Sequence, residues 1–327
     1  MPGGDFSWID GERLVRFGPG AIAEAPELLA ARGFDGYALL STERSRADAP
    51  ELEAAGAAIL DVLPGPVPEA AAAIRDEVGG RPLVALGGGR VIDSAKAIAG
   101  ADGLECAALP TTLSGAEMTR LHRMPAGVER FTLTRPSLVV AQPTVMTGQP
   151  PAALAASAMN ALAHAMEALY TPLANPVASL AALRAAELIG HGLAIDEPAR
   201  EDLALGALLA GYATGSAGLA AHHAVCQTIV RTCSTPHAET NAVMLPHFAA
   251  AMAPRAPAQL SGFATALGTP IDRLAARAGP TTLGELGVET VQLEKVADAA
   301  LEHPAYAANT PDPPDRGELL ELLGRAL

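Results

Sequence analysis

Polar side chains set into an apolar helix are where a sequence can do chemistry, and residues 157–170, SAMNALAHAMEALY, hold such a pair. Asn160 and His164 stand four residues apart, so on a helix they share one face. Among Ala, Leu and Met their burial is costly unless something bonds to them. They either satisfy each other and nearby backbone, or they point at a metal, a cofactor or a substrate. A second concentration of imidazoles follows in HHAVCQTIVRTCSTPHAETNAVMLPH, which carries His222, His223, Gln227 and His237. Taken singly, a histidine in such a segment reads as a packed core residue.

The third candidate is a glycine turn. In LVALGGGRVIDSAKAIA, residues 83–99, Gly87, Gly88 and Gly89 separate an apolar strand from a helix start. Glycine lets backbone approach a ligand closely, and free N–H groups at a helix N-terminus favour an anion. A tight turn without a ligand would use the same residues, and the spacing is not the GxGxxG dinucleotide fingerprint.

These groups need a scaffold, and 327 residues suffice for two domains. Short apolar runs alternate with helical patterns in the first half: a strand at 36–41, helices at 51–59 and 70–78, a strand running into the glycine turn at 81–90, a helix at 93–100 closed by Gly100, and a strand at 106–112. Such alternation predicts an α/β dinucleotide-binding domain with a parallel sheet over residues 1–148. The proline-rich stretch 135–151 marks the junction. Long Ala/Leu-rich segments at 151–170, 176–194, 200–216, 217–230, 241–252 and 256–267 predict an all-helical catalytic domain over 149–327, with a loop at 304–317 before a final helix.

The net charge of −14 argues against nucleic acid or an anionic membrane as partner. Leu203–Val230 lacks Asp, Glu, Lys and Arg and is long enough for a membrane span, yet its Tyr, Thr, His and Gln residues favour helices buried in a core. Cys106, Cys226 and Cys233 form no CxxC pair, which fits reduced thiols. With no basic stretch followed by an apolar run at the N-terminus, a cytoplasmic protein is expected, acting on a small molecule as a homodimer.

Taken together, GGG-x-x-x-D-x-x-K, LPTTLSGAEMT, the helix of Asn160 and His164, and the segment from His222 to His247 resemble the iron-containing alcohol dehydrogenase family, whose fold is like that of dehydroquinate synthase. MNALAHAMEALY, LAAHHAVC and PHAETNAVMLPH are similar to its maleylacetate reductase subgroup. The resemblance implies that Gly87, Gly88 and Gly89 meet the diphosphate of NAD or NADP, that Asp93, Thr111, Thr112 and Ser114 belong to the cofactor cleft, and that Ser41 and Thr42 meet the adenosine ribose. It also implies a metal position formed by Asn160, His164, His223 and His237. Asn160 stands where metal-binding relatives have Asp, which removes an anionic ligand. Three imidazoles can still hold zinc, but the subgroup is not thought to depend on metal, and a metal-free site is expected.

Other departures bear on the chemistry. Gln227 replaces a family histidine and can hydrogen-bond but not shuttle a proton at neutral pH. His222 is expected to face away as a surface or packing residue. Arg90 replaces a small residue after the glycines, adding positive charge beside the phosphates. Residues 119–145 are shorter than the family hairpin and read AQPTV where Asp-Pro is customary. Arg120 and Arg123 are the candidates for substrate carboxylates, against the alternative of solvated loop arginines. The resemblance implies hydride transfer from NAD(P)H to a small unsaturated oxo-dicarboxylate or related oxo-acid, with Asn160, His164, His223, Gln227 and His237 as the catalytic set. A divergent non-redox isomerase, lyase or cyclase on the same fold is the alternative, favoured by Arg90, Gln227 and the short hairpin.

Overall fold

A computed structural model describes residues 5–327, and the chain divides into two compact units, Met1–Gly148 and Gln149–Leu327. The first unit runs β1 (Phe6–Asp10), β2 (Arg13–Phe17), α1 (Ala21–Ala31), β3 (Ala38–Ser41), α2 (Glu43–Arg46), α3 (Pro50–Ala55), β4 (Ala58–Asp61), α4 (Val67–Val78), β5 (Leu83–Gly87), α5 (Gly89–Asp102), β6 (Cys106–Pro110), β7 (Leu138–Ala141) and α6 (Pro143–Met146). Its sheet has the order β1-β2-β7-β6-β5-β3-β4, parallel throughout except for the β1–β2 hairpin.

Strands buried on both faces read as unbroken apolar runs, because successive side chains point to opposite sides. Val84 and Leu86 pack with Leu29 of α1 and Leu52 of α3, while Leu83 and Ala85 pack with Ile74 of α4 and Ile98 of α5. From β3 the chain goes outward to β4 and returns to β5 on the other flank, so the strand order reverses between β3 and β5. A crevice at the carboxyl ends of such strands is where open α/β sheets bind ligands.

Three sequence expectations in this unit need correction. The helix expected over 51–59 stops at Ala55, because Gly56 turns extended (ψ 136°) and frees Ala58–Asp61 to pair with β3. The helix expected to close at Gly100 continues to Asp102 and is capped by the left-handed Gly103 (φ 68°). Gly100 is there for packing, since a Cβ would come within 2.9 Å of the Thr132 carbonyl. The stretch 135–151 is more than a junction, because Leu138–Ala141 forms β7 between β2 and β6.

The second unit contains α7 (Pro151–Ala168), α8 (Pro176–Ala194), α9 (Arg200–Ala217), α10 (Ala221–Cys233), α11 (His237–Met252), α12 (Pro257–Leu267), α13 (Ile271–Ala275), α14 (Leu293–Leu301), α15 (Pro304–Ala308) and α16 (Arg316–Ala326). No strand occurs among its described residues. Helix α7 is buried nearly all round, as its apolar composition demands, and packs against α8, α9 and α11. The charge-free stretch from Leu203 is broken after Ala217, and α10 leaves α9 at 103°. The chain turns a corner there, which rules out one straight span. Helix α8 is long and apolar enough to cross a membrane, with half of its apolar window buried inside the unit.

Small residues set the helix spacing. A Cβ on Gly192 would lie 2.7 Å from Leu203, and one on Gly206 would lie 2.8 Å from Ile189. At Gly190 it would lie 2.2 Å from the Leu267 carbonyl oxygen, which is backbone and cannot rotate away. Ala favours a helix interior over Gly by about 1 kcal/mol, but overpacking costs about 1–3 kcal/mol. Gly190→Ala is therefore expected to lower unfolding stability despite its better helix propensity, as denaturant titration would measure.

Candidate active site

In the first unit the expected cofactor residues gather at the carboxyl edge of the sheet: Thr42 follows β3, Gly87–Gly89 end β5 and open α5, and Thr111, Thr112 and Ser114 follow β6. None of the three glycines has a positive φ. Their value is closeness. A Cβ on Gly88 would sit 3.0 Å from the Thr112 methyl, and one on Gly89 would sit 3.0 Å from Ser114 Cβ. The loop after β6 therefore lies directly on the start of α5. No side chain caps that helix, so its first-turn N–H groups suit an anion such as a diphosphate.

Ser41 does not fit the ribose role implied by resemblance. It is buried, and its Oγ donates to the Leu86 carbonyl at 2.9 Å, tying the ends of β3 and β5 together. Thr42 caps α2 through the Ser45 N–H. Arg90 is exposed at the helix start. Asp93 accepts from Lys96 Nζ at 2.7 Å.

Lys96 is fully buried and anchors the segment beyond the β6 loop. Its ammonium lies 2.7 Å from the Leu121 carbonyl, 2.9 Å from the Ala116 carbonyl and 3.2 Å from Thr119 Oγ1. Arg13 holds the Met118 carbonyl at 3.1 Å. Between these cations Glu117 is fully buried, and neither carboxyl oxygen makes a sound hydrogen bond. Burial pushes its pKa up to about 7, against the pull of its own backbone N–H, Lys96 and Arg13.

In the second unit, α7 and α10 bring the imidazoles together. Asn160, His164 and Glu167 recur on one face of α7, and His223 and Gln227 share a face of α10. The rings of His164 and His223 stack with centroids 4.4 Å apart and planes at 14°. His223 Nδ1 meets Glu167 Oε2 at 2.6 Å, while Oε1 of the same carboxyl accepts the His223 backbone N–H at 3.2 Å. Helix α10 has no side-chain cap of its own. Glu167, fully buried, takes that place from α7, with the backbone N–H groups of Ala220, His222 and His223 around it. Burial pushes its pKa up, and nearby His222 and those N–H groups oppose the rise. Burial also holds His223 and His222 down to about 3 and His164 well below the usual imidazole range. The imidazoles are neutral at neutral pH.

Glu167 is the residue that sequence reasoning missed. Its signal was present: three residues after His164 and seven after Asn160, it continues the same helical face. His222 is the packing residue expected, but it does not face away. It is fully buried, lies edge-on to His223 at 5.0 Å and to Phe248 at 5.3 Å, and brings its Nε2 to 3.6 Å from Cys226 Sγ. His237 opens α11, is exposed, and meets Asn241 Nδ2 at 3.3 Å. It is still near enough to help lower the pKa of His164 and His223. Gln227, half-buried, meets His303. Arg120 and Arg123 are exposed in a segment without strands, whereas Arg135 is tied to Glu12 and Asp10.

Asn160 Oδ1, His164 Nδ1 and His223 Nε2 are among the buried atoms that lack a protein partner. A divalent cation tests that set. Metal–imidazole bonds are about 2.0–2.1 Å and lie in the ring plane. Nearly parallel rings stacked at 4.4 Å have lone pairs that run side by side, so one ion cannot lie in both planes. Glu167, His222 and His223 also bring ligand atoms within 4.8 Å of one another, but the carboxyl is already spent on His223 and the α10 backbone. The stacked pair does not suit a shared cation, whereas its free imidazole nitrogens, where protonated, can donate to a neutral or developing anionic oxygen.

Comparisons with known proteins agree with this organisation. Residues 154–327 match the family model described as Fe-containing alcohol dehydrogenase family, C-terminal. Maleylacetate reductase 1 of Rhodococcus opacus is 38% identical over 240 residues, covering 68% of this chain and 67% of the relative. Maleylacetate reductase of Burkholderia cepacia is 34% identical over 336 residues, covering 95% of each. The crystal structure of maleylacetate reductase from Agrobacterium tumefaciens superposes with a TM-score of 0.84 at 30% identity, over 98% of this chain and 97% of that one.

Two consequences are measurable. The folded chain keeps the Glu117 proton where the unfolded chain has lost it, so this group's contribution is present below pH about 4.5 and is lost as pH rises to about 7. Glu117→Gln should match wild type at pH 4 and exceed it by up to about 3 kcal/mol at pH 8, read by denaturant unfolding at both pH values. Glu167→Ala strips partners from His223 and from the start of α10, and should cost about 1–3 kcal/mol. Glu167→Gln, which can accept from backbone and donate to Nδ1, should cost less in the same unfolding assay.

Proposed function

Because this chain belongs to the iron-containing alcohol dehydrogenase family, we propose that it is an NAD(P)H-dependent reductase of the maleylacetate reductase type, reducing an unsaturated oxo-dicarboxylate or a closely related oxo-acid without a catalytic metal. Identity of 34% over 95% of a maleylacetate reductase supports the substrate class. The parallel stacking of His164 and His223 supports the metal-free reading. One observation carries the chemistry: His223 is gripped at Nδ1 by a buried carboxyl while its Nε2 has no protein partner.

The open first turn of α5 is where the chain's own N–H groups would receive the diphosphate of NAD(P)H. When bound, that cofactor would supply a hydride for the carbon β to the substrate's ketone. Negative charge then develops on the ketone oxygen. Neutral donors in a dry site stabilise such an enolate far better than water does; buried His164, His223 and the Asn160 amide are the groups at hand, with exposed His237 beside them. His223 Nε2–H then protonates the α carbon. As that proton leaves, the proton in the Glu167–Nδ1 bond settles on Nδ1, and the carboxylate left behind is held by the N–H groups at the start of α10. Solvent returns one proton to the pair in each turnover.

Arg90 is exposed and Gln227 has found a histidine partner. These two departures no longer favour a non-redox enzyme. A cytoplasmic homodimer acting on a free small molecule completes the reading, and the net charge of −14 supports the exclusion of nucleic acid and anionic membrane.

The assay is NADH and NADPH oxidation with maleylacetate. Turnover is expected with at least one nucleotide, and it should survive exhaustive dialysis against a chelator, with metal content far below one per chain. His223→Ala and His237→Ala should each lower kcat by about 10²–10³ while circular dichroism stays that of the folded protein. Full activity in both variants, or no nucleotide oxidation by wild type, would overturn the proposal.

A further inference from the structure

Gln227 occupies a position where family resemblance places a histidine, and the structure supplies an imidazole there from a distant part of the chain. His303, just ahead of α15, lies with its Nε2 3.3 Å from Gln227 Oε1. Its other ring nitrogen is committed, since Nδ1 accepts the Ala305 N–H at 3.2 Å and caps α15. A neutral imidazole that accepts at Nδ1 carries its proton at Nε2. His303 stays neutral because burial and Arg231 push its pKa down, with Glu167 the only opposing influence. The bond therefore has a fixed polarity: His303 Nε2–H donates and Gln227 Oε1 accepts.

That polarity matters because a carboxamide is nearly symmetric in shape and can present either end. With the oxygen engaged by His303, the NH2 end is left over. Gln227 is half-buried, and its NH2 has no protein partner among the described residues. We infer that His303 is a positioning residue that turns Gln227 into a one-way hydrogen-bond donor toward a carboxylate or keto oxygen of the substrate. This inference rests on the reductase reading for its substrate class. No local pattern announces it, as 76 residues separate the two side chains.

Two substitutions separate positioning from capping. Asn at 303 places a carbonyl where Nδ1 sat and caps α15 well, but it is too short to reach Gln227. Gln at 303 carries an amide nitrogen out to the Nε2 position and gives up the cap. His303→Asn and Gln227→Ala should each lower kcat/KM for maleylacetate about tenfold, the scale of one neutral hydrogen bond, with KM for the nucleotide unchanged. The double variant should be no worse than either single. His303→Gln should recover part of the loss despite a lower Tm.

Wild-type activity in His303→Asn, or a double variant showing the product of two independent losses, would overturn the inference. Side-chain amide NMR decides it apart from turnover, taking the Gln227 signal as the one lost in Gln227→Ala. That signal should shift in His303→Asn and return toward its wild-type position in His303→Gln. An unmoved signal overturns the inference. If wild type fails to turn over maleylacetate while the signal moves as expected, the reductase reading falls and the positioning role stands.

Discussion

The helical unit turns on one buried carboxyl. A glutamate at zero exposure would be costly by itself, and α10 begins without a cap of its own. Each solves the other's problem. The carboxyl fills the N–H groups that α10 leaves open, and α10 surrounds the carboxyl with donors. Because His223 sits in that same first turn, the arrangement also fixes its ring, and stability and chemistry draw on the same atoms. The right-angled exit from α9 is what delivers the start of α10 to Glu167. A straight continuation would carry it away.

The sheet unit follows a different logic. Its glycines let two loops and a helix start crowd together, and Thr112 and Ser114 occupy the space that side chains would have taken. Two buried cations, Arg13 and Lys96, then hold the following segment by its carbonyl oxygens. Backbone carbonyls do not titrate, so the acceptors in this anchoring have no charge to gain or lose. Glu117 is the exception, a carboxyl enclosed among these bonds without sharing in them.

Much of this was legible in the residues. The strand–helix alternation, the long apolar helices and the face shared by Asn160 and His164 follow from periodicity, which is local. Errors arose where tertiary pairing overrode local pattern. Ala58–Asp61 looks helical with its Ala-rich neighbours and becomes a strand because β3 offers it an edge. Leu138–Ala141 hides among prolines and becomes a central strand between β2 and β6. In the site, Glu167 was visible as a continuation of one helical face, but only the fold reveals that a second helix needs its carboxyl. Gln227 and His303 could not be paired by any local rule.

Lysine usage has a practical corollary. The chain has two lysines, and Lys96 has its ammonium enclosed by four oxygen atoms and no exposure to solvent. Lys295, exposed on α14, is then the one side-chain amine open to reagents in the folded protein. Acylating probes of the kind used to attach dyes or surfaces would mark a single side-chain position, and a second modified lysine would report that the sheet unit had opened.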